Sequence, residues 1–357
     1  MIRVLHLSGN PRSIGQQHGK QVIDLRPQIQ AAIQERLVPL LRPGNNLTSS
    51  INEVAKVWEH YAPATLEMLQ GMADVLELDW DDYFTYTIAS YLTGHSKYAQ
   101  QKEGCTAWAA GKDVTRDGAP LLAKNRDYFP RHKSLQCLAR IQPENGHPYL
   151  CLTSAGSPGV FSSGMNASGL AIADTFVAST DLGPGIGRYS LMMDILEKFT
   201  RVSDAINYLF SCPHFGDGTV TMADANGELA TVEIAHSVQA VLPCEDGFVV
   251  STNHFTAPET RTRWVDNEPP HLKGNSLERR KRVKNALLSA RGLVDVPWSQ
   301  ALMGQGGSAI DAICRGPEID PHSITISCTI FSPTQLGLYV ANGLPCQTPF
   351  EWFQVAN

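Results

Sequence analysis

Gly104-Cys105-Thr106-Ala107-Trp108 closes a hydrophilic run from Lys97 to Glu103 and opens an apolar segment that predicts a β-strand. That segment ends in Lys112-Asp113-Val114-Thr115-Arg116-Asp117-Gly118, where Asp-Gly is a strong hairpin signal. A second run, Ala119 to Ala123, leads back into Lys124-Asn125-Arg126-Asp127. A hairpin sets the start of one strand beside the end of its partner. Cys105 is therefore predicted to face the Asn-Arg-Asp cluster.

A thiol is a good nucleophile only as thiolate, so it needs a base or a cationic neighbourhood. Cleavage of the Gly104–Cys105 bond would supply one. The freed α-amine, with an ordinary pKa of roughly 7.7–8.0, can take the thiol proton near neutral pH. Asp127 is then a candidate to hold that amine, and neighbouring Asn or Arg groups to hold an oxyanion. On spacing alone a single Gly-Cys fits a buried structural thiol better, the common fate of a free cysteine.

The 357 residues are enough for one large domain or two ordinary ones. Hydrophobic content of 43% and charged content of 18% are globular values. A net charge of −6 argues against nucleic acid or an anionic membrane as partner. Met1-Ile2-Arg3-Val4-Leu5-His6 has no long apolar core behind a basic start, and no stretch approaches a membrane span. The chain reads as soluble and cytoplasmic. Cysteines at 105, 137, 151, 212, 244, 314, 328 and 346 stand singly, without zinc-ligand spacing, and read as reduced, mostly buried thiols. No metal and no cofactor is expected.

Residues 1–104 read as a short strand followed by helices. Ser13 to Lys20 leads into a helix from about Gln21 to Leu40, with Pro27 either kinking it or marking its true first turn. His18, between glycines, reads as a structural turn residue. Further helices are predicted over Ser50–Tyr61, from Pro63 through Leu76, and over Trp80–Leu92 with Asp79 as N-cap. The aromatics of the last suit the core or a substrate pocket. Beyond Cys105, strands are predicted at Tyr149–Thr153, Val160–Ser163, Leu170–Thr175, Thr219–Asp224 and Leu229–Ile234, and as a pair around Asp246-Gly247 whose second member, Phe248–Ser251, leads to Asn253. Ser323–Phe331 and Gln335–Ala341 form a closing pair. Ser190–Phe199, Ser203–Phe210 (capped by Ser203-Asp204) and the basic Ser276–Ala290 read as helices. Gly183-Pro184-Gly185-Ile186-Gly187 is a turn-rich loop, not a phosphate cradle. Blocks of helices between meandering strands predict an α+β fold of sheets packed face to face with helices outside.

Gly104-Cys105-Thr106 and Lys124-Asn125-Arg126-Asp127, followed in order by Gly164-Met165-Asn166-Ala167-Ser168-Gly169-Leu170-Ala171, Ser251-Thr252-Asn253-His254-Phe255, Asn275-Ser276-Leu277-Glu278-Arg279 and Asn342-Gly343-Leu344-Pro345-Cys346, resemble the isopenicillin N acyltransferase-like family of N-terminal-nucleophile hydrolases. More distantly the chain is similar to penicillin V acylases and bile salt hydrolases. The resemblance implies a four-layer αββα sandwich, with 1–104 as helical pro-segment and 105–357 as catalytic subunit. It implies self-cleavage at Gly104–Cys105, Cys105 as nucleophile, and Asp127 holding its amine. Asn253 is implied as oxyanion donor, and Arg279 as a cation near the nucleophile that favours thiolate. Two departures stand out. Lys124 occupies the place of an arginine in the hydrolases, and cannot give the same bidentate contacts. Their second oxyanion asparagine has no counterpart in Ala173-Asp174-Thr175-Phe176. Both pull the chain toward the acyltransferase-like branch and away from bile salts.

The expected activity is cleavage or transfer of an acyl group at a linear amide or acyl thioester, through acyl-Cys105. One alternative is a coenzyme A-dependent N-acyltransferase, with acyl-coenzyme A entering as substrate. The other, of a different class, is an unprocessed binding protein of the same fold. The expected partners are a small acyl amide or thioester and the chain's own two fragments as a heterodimer, with a higher oligomer left open.

Overall fold

The computed structural model describes residues 2–95, 104–157, 159–244 and 246–355, so the hydrophilic run from Lys97 to Glu103 lies outside the described residues. The chain opens with β1 (Arg3–Gly9), then α1 (Pro11–Gln21), α2 (Arg26–Leu40), α3 (Thr48–Tyr61), α4 (Pro63–Leu76), α5 (Trp80–Thr87) and α6 (Ala89–His95). The strands β2 (Thr106–Ala110), β3 (Leu121–Tyr128), β4 (Gln136–Pro143), β5 (Tyr149–Ser154), β6 (Ser163–Asn166) and β7 (Ala171–Phe176) follow. After α7 (Arg188–Lys198) and α8 (Val202–Ser211) come β8 (Gly218–Ala223), β9 (Leu229–Ile234), β10 (Gln239–Leu242) and β11 (Phe248–Ser251). The chain closes with α9 (Asn275–Ser289), α10 (Val296–Met303), β12 (Ile324–Ser332), β13 (Gly337–Ala341) and β14 (Glu351–Gln354).

Among the described residues these strands form two sheets. One has the order β1-β4-β5-β6-β7-β8-β9-β10, the other β11-β2-β3-β12-β13-β14. Ala107, Ala109 and Leu122 of the second sheet pack against Leu138, Leu150, Leu152 and Met165 of the first. The outer face of the first sheet is covered by the amino-terminal helices with α7 and α8, through residues such as Leu69, Tyr83, Leu191 and Leu196. Val283 and Leu287 of α9, with Leu302 and Met303 of α10, cover the outer face of the second. The result is the four-layer αββα sandwich.

The described residues before Cys105 are built into this sandwich. Strand β1 pairs in parallel with β4 along its whole length, from Arg3 opposite Cys137 to Gly9 opposite Pro143. Helix α1 starts earlier than the spacing implied. Asn10 caps it, its Oδ1 accepting the Ser13 N–H at 2.9 Å, and Pro11 fills the first turn. Its glycines permit close packing on α4: a Cβ at Gly15 would stand 2.0 Å from the Met68 carbonyl oxygen. His18 is thus helical rather than in a turn. It is buried, and its Nε2 accepts the Gly156 N–H at 3.1 Å. Pro27 lies in the first turn of α2, so a new helix begins there.

Three further expectations need correction. The β6 strand begins at Ser163, with Val160 in the preceding loop. Helix α8 is not capped by Ser203-Asp204: its first amide, Val202 N–H, donates to Asp224 Oδ2 at 3.0 Å from the β8–β9 turn. The segment around Asp246-Gly247 is no hairpin, since β10 pairs with β9 in one sheet and β11 with β2 in the other. No helix among the described residues is long and apolar enough to cross a membrane.

Candidate active site

Strand β3 lies inside its sheet with layers over both faces, so all eight of its residues are buried, the polar run Lys124–Asp127 included. Four adjacent polar side chains in a central strand each need a partner. Side-chain alternation sends them two ways. Asn125 faces the outer helices, its Nδ2 donating to the carbonyls of Met303 and Ile313 at 2.9 Å each. Lys124 and Arg126 face the other sheet, reaching Asp174 on β7 and Ser154 on β5.

The hairpin register is as the sequence implied. Thr106 stands opposite Asn125, which sets Cys105, one residue earlier, across from Arg126. The Cys105 thiol is buried, with Sγ 3.9 Å from the Asp127 carbonyl oxygen. Lys124, Asp174 and Tyr86 line the same cleft as Cys105, so one aromatic of the 80–92 stretch faces a cavity while Tyr83 is core.

Arg279, fully buried on α9, ties the site together. Its Nη1 donates to the Cys105 carbonyl at 2.7 Å and to Thr106 Oγ1 at 2.6 Å. Its Nη2 donates to Asn253 Oδ1 at 2.8 Å, and its Nε to Asn275 Oδ1 at 2.7 Å. Burial and the nearby Arg315 cation lower its pKa to about 10, which leaves it protonated at neutral pH. Asn253, just past β11, also donates its amide Nδ2–H to the Phe176 carbonyl at 2.8 Å. Its second Nδ2 hydrogen remains available for a ligand.

Asp127 is fully buried. One carboxylate oxygen, Oδ1, accepts from Thr325 Oγ1 at 2.6 Å. The other, Oδ2, has no hydrogen bond and stands 3.7 Å from Arg315 Nε. Burial raises this carboxyl above its ordinary pKa and outweighs the opposing pull of Arg315, Arg279, Thr325 and Lys124. Arg315 was not anticipated. It sits in an irregular stretch before β12, and its guanidinium covers Gly104 so closely that a Cβ there would lie 2.4 Å from Nη2. Nothing in its local spacing marks it. It reaches the site because β12 pairs with β3, Thr325 opposite Asp127, and the Arg315 N–H donates to Thr325 Oγ1 at 2.8 Å.

The two departures noted in the sequence are partners. Lys124 Nζ is paired with Asp174 Oδ1 at 2.5 Å. Asp174 Oδ2 accepts from Arg188 Nε at 3.1 Å, and Arg188 in turn pairs with Asp217. Burial works against the Asp174 carboxylate, but Lys124 and Arg188 hold its pKa below the ordinary value. Lys124 and Asp174 thus form a buried ion pair.

Comparison with known proteins gives a family. The family described as acyl-coenzyme A:6-aminopenicillanic acid acyl-transferase matches residues 114–341. That range includes Lys124–Asp127, Asn253, Arg279 and Arg315, and begins just after Cys105. An uncharacterised protein of Archaeoglobus fulgidus is 24% identical over 84% of this chain, which spans only 57% of that relative's length. Among solved structures, a mutant of conjugated bile acid hydrolase from Clostridium perfringens aligns with a TM-score of 0.47 at 14% identity, over 70% of this chain and 92% of that one. Penicillin V acylase from Agrobacterium tumefaciens aligns with a TM-score of 0.43 at 15% identity, over 70% and 86%.

Proposed function

We propose that this chain, which belongs to the acyl-coenzyme A:6-aminopenicillanic acid acyl-transferase family, is a self-processing acyl-transfer enzyme with Cys105 as its nucleophile. In the precursor the Cys105 thiol attacks the Gly104 carbonyl carbon. The peptide C–N bond breaks, a thioester forms, and the nitrogen becomes the free α-amine of Cys105. Water then opens the thioester and leaves Gly104 as a carboxylate. In the mature enzyme the same thiolate attacks a substrate amide or thioester, with the α-amine taking the thiol proton and passing it to the leaving group. Water or an acceptor amine resolves the acyl-Cys105.

The observation that carries this reading is the second oxygen of Asp127. It is buried and without a hydrogen bond, 3.7 Å from Arg315 Nε, and the same guanidinium covers Gly104. A buried carboxylate oxygen without a hydrogen bond is costly in a finished structure. It suits a place that fills when an ammonium is released by cutting next to it. Arg279 fixes the Cys105 carbonyl and aims Asn253, whose free N–H suits a developing oxyanion. With Asp174 occupied by Lys124 and Arg188, Asn253 serves as the side-chain donor to that oxyanion. The two fragments stay together after cutting, because β1 is a sheet strand and the helices of 1–104 carry part of one core.

Hydrolysis and transfer share every step up to acyl-Cys105. Incubating the cut protein with an acyl amide or an acyl-coenzyme A, with and without an acceptor amine, separates them. A hydrolase releases acid at the same rate in both cases, whereas a transferase diverts the acyl group to the amine. Asn253→Ala should lower kcat by roughly 10²–10³. Because it also strands an Arg279 N–H, it should cost about 1–3 kcal/mol of stability. Full activity in that variant removes Asn253 from the reaction.

A further inference from the structure

Asn342-Gly343-Leu344-Pro345-Cys346 takes no part in the chemistry proposed at Cys105, yet it ends on a thiol with a close neighbour. Cys346 lies between β13 and β14 and is exposed. Its Sγ stands 3.3 Å from Sγ of Cys314, which is buried in the irregular stretch before β12. Backbone bonds hold each segment in place. The amides of Ile313 and Cys314 donate to the Gln305 carbonyl at 3.1 and 2.9 Å, and those of Gln347 and Thr348 to the Leu344 carbonyl at 2.9 Å each. Gly304 fits closely against Cys346, since a Cβ there would lie 3.4 Å from its amide nitrogen and from its Cα. Bonded sulfurs lie about 2.05 Å apart, so an approach of about 1.2 Å, within the reach of side-chain rotation, joins the pair.

We infer that Cys314 and Cys346 are a redox modification site, which low-molecular-weight disulfides oxidise to an intramolecular disulfide and thiols reduce again. With oxidised glutathione, the exposed Cys346 attacks as thiolate. The glutathione S–S bond breaks, one glutathione leaves as thiolate, and a mixed disulfide forms on Cys346. Cys314 then loses its proton to solvent and attacks Cys346 Sγ, expelling the second glutathione. Two protein thiols give up two electrons and two protons, and one glutathione disulfide becomes two glutathione thiols. Burial pushes the Cys314 thiol up, which keeps it protonated and makes Cys346 the residue that reacts first. The bond ties two irregular segments together, and one of them carries Arg315, whose guanidinium covers Gly104 and stands 3.7 Å from Asp127 Oδ2. Without the bond, the Arg315 backbone is held by its N–H to Thr325 Oγ1 and by the Thr325 N–H to its carbonyl, each at 2.8 Å. A covalent tie restricts local opening of this stretch, so oxidation latches the cation beside Gly104. Neither Cys105 nor a substrate enters the exchange, so the site is independent of the acyl-transfer reading.

The full chain is equilibrated in buffers of reduced and oxidised glutathione, quenched with acid, alkylated at its remaining thiols and mapped by peptide mass. Wild type should yield peptides cross-linked through Cys314 and Cys346, two hydrogens lighter than the reduced pair, and excess reduced glutathione should restore both thiols. Cys314→Ser should stop at glutathione on Cys346, and Cys346→Ser should leave Cys314 unmodified, which fixes the order of the two steps. Hydrogen exchange in peptides spanning 313–315 should slow roughly tenfold in oxidised wild type and stay unchanged in oxidised Cys346→Ser. Wild type that keeps both thiols in oxidised glutathione, or that carries glutathione on Cys346 beside a reduced Cys314, overturns the inference, whether or not the serine variants fold. A cross-link without slower exchange overturns the latch on Arg315.

Discussion

Gly104→Ala isolates one contact. Gly104 does not use the left-handed region, so alanine brings no backbone strain, only a methyl group. That methyl would meet Arg315 Nη2 at 2.4 Å and its Cζ and Nη1 at 2.5 Å, where ordinary contact starts at 3.4 Å. The guanidinium must retreat by about 1 Å, or the Gly104 carbonyl must move away from the thiol. Arg315 Nη2 donates to Asn275 Oδ1 at 2.7 Å, and a retreat of that size breaks the bond. A hydrogen bond made by a charged group is worth about 1.5–3 kcal/mol. If that sum is missing when Cys105 attacks, self-cleavage slows roughly tenfold to a hundredfold. The assay is cell-free synthesis of wild type and variant, followed on denaturing gels from the moment the chain is complete. Pairing Gly104→Ala with Arg315→Gln in a double-mutant cycle should show strong coupling, because the shorter side chain leaves room for the methyl. Cutting at the wild-type rate would refute the reasoning. Faster cutting would mean that Arg315 restrains the bond instead of presenting it.

Arg279→Lys offers three donors at one point in place of a fork making four hydrogen bonds, so at least one buried acceptor is orphaned. Urea titration should show a loss of about 1–3 kcal/mol for each, with self-cleavage and turnover both impaired; unchanged activity would show that the clamp is dispensable. Acid should destabilise the protein through its buried histidines. Burial holds His18 and His214 to a pKa of about 4, and His132 and His254 to about 3. The unfolded chain takes these protons near pH 6.5, so their contribution is complete above that value and is lost as pH falls toward the folded values. At pH 5 each forfeits about 2 kcal/mol, opposed chiefly by Glu197, which burial and Asp194 push up to about 7 and which favours the folded state as it protonates. The urea midpoint should fall between pH 7 and 5; a flat or rising midpoint contradicts this.

The hairpin at the centre of the site was legible because turn chemistry is local. Asp117-Gly118 marked the reversal, Gly118 has φ +75°, and the register brought Cys105 opposite Arg126. The layered architecture was legible from the grouping of helices and strands. Sheet membership was not, since Asp246-Gly247 looks the same whether the chain folds back or crosses between sheets. Helix α1 carried its signal in Asn10-Pro11, hidden by glycines that serve the packing on α4. Helix α10 is only eight residues long. Strand β4 was passed over because Arg140 and Gln142 interrupt its apolar pattern, and β14 because it is a half-exposed edge with Trp352 outward. At the site, motif order marked Cys105, Asp127, Asn253 and Arg279, which the fold gathers. Arg315 and the Lys124–Asp174 pair depend on long-range strand pairing, which no local spacing encodes.

Whether Cys105 cuts its own chain is the claim on which the rest depends, and intact-mass analysis of purified wild type and Cys105→Ala tests it directly. Wild type should give two masses, those of residues 1–104 and 105–357, eluting together under native conditions, while Cys105→Ala should give a single uncut mass. Uncut wild type, or a Cys105→Ala protein cut at the same bond, would contradict the account.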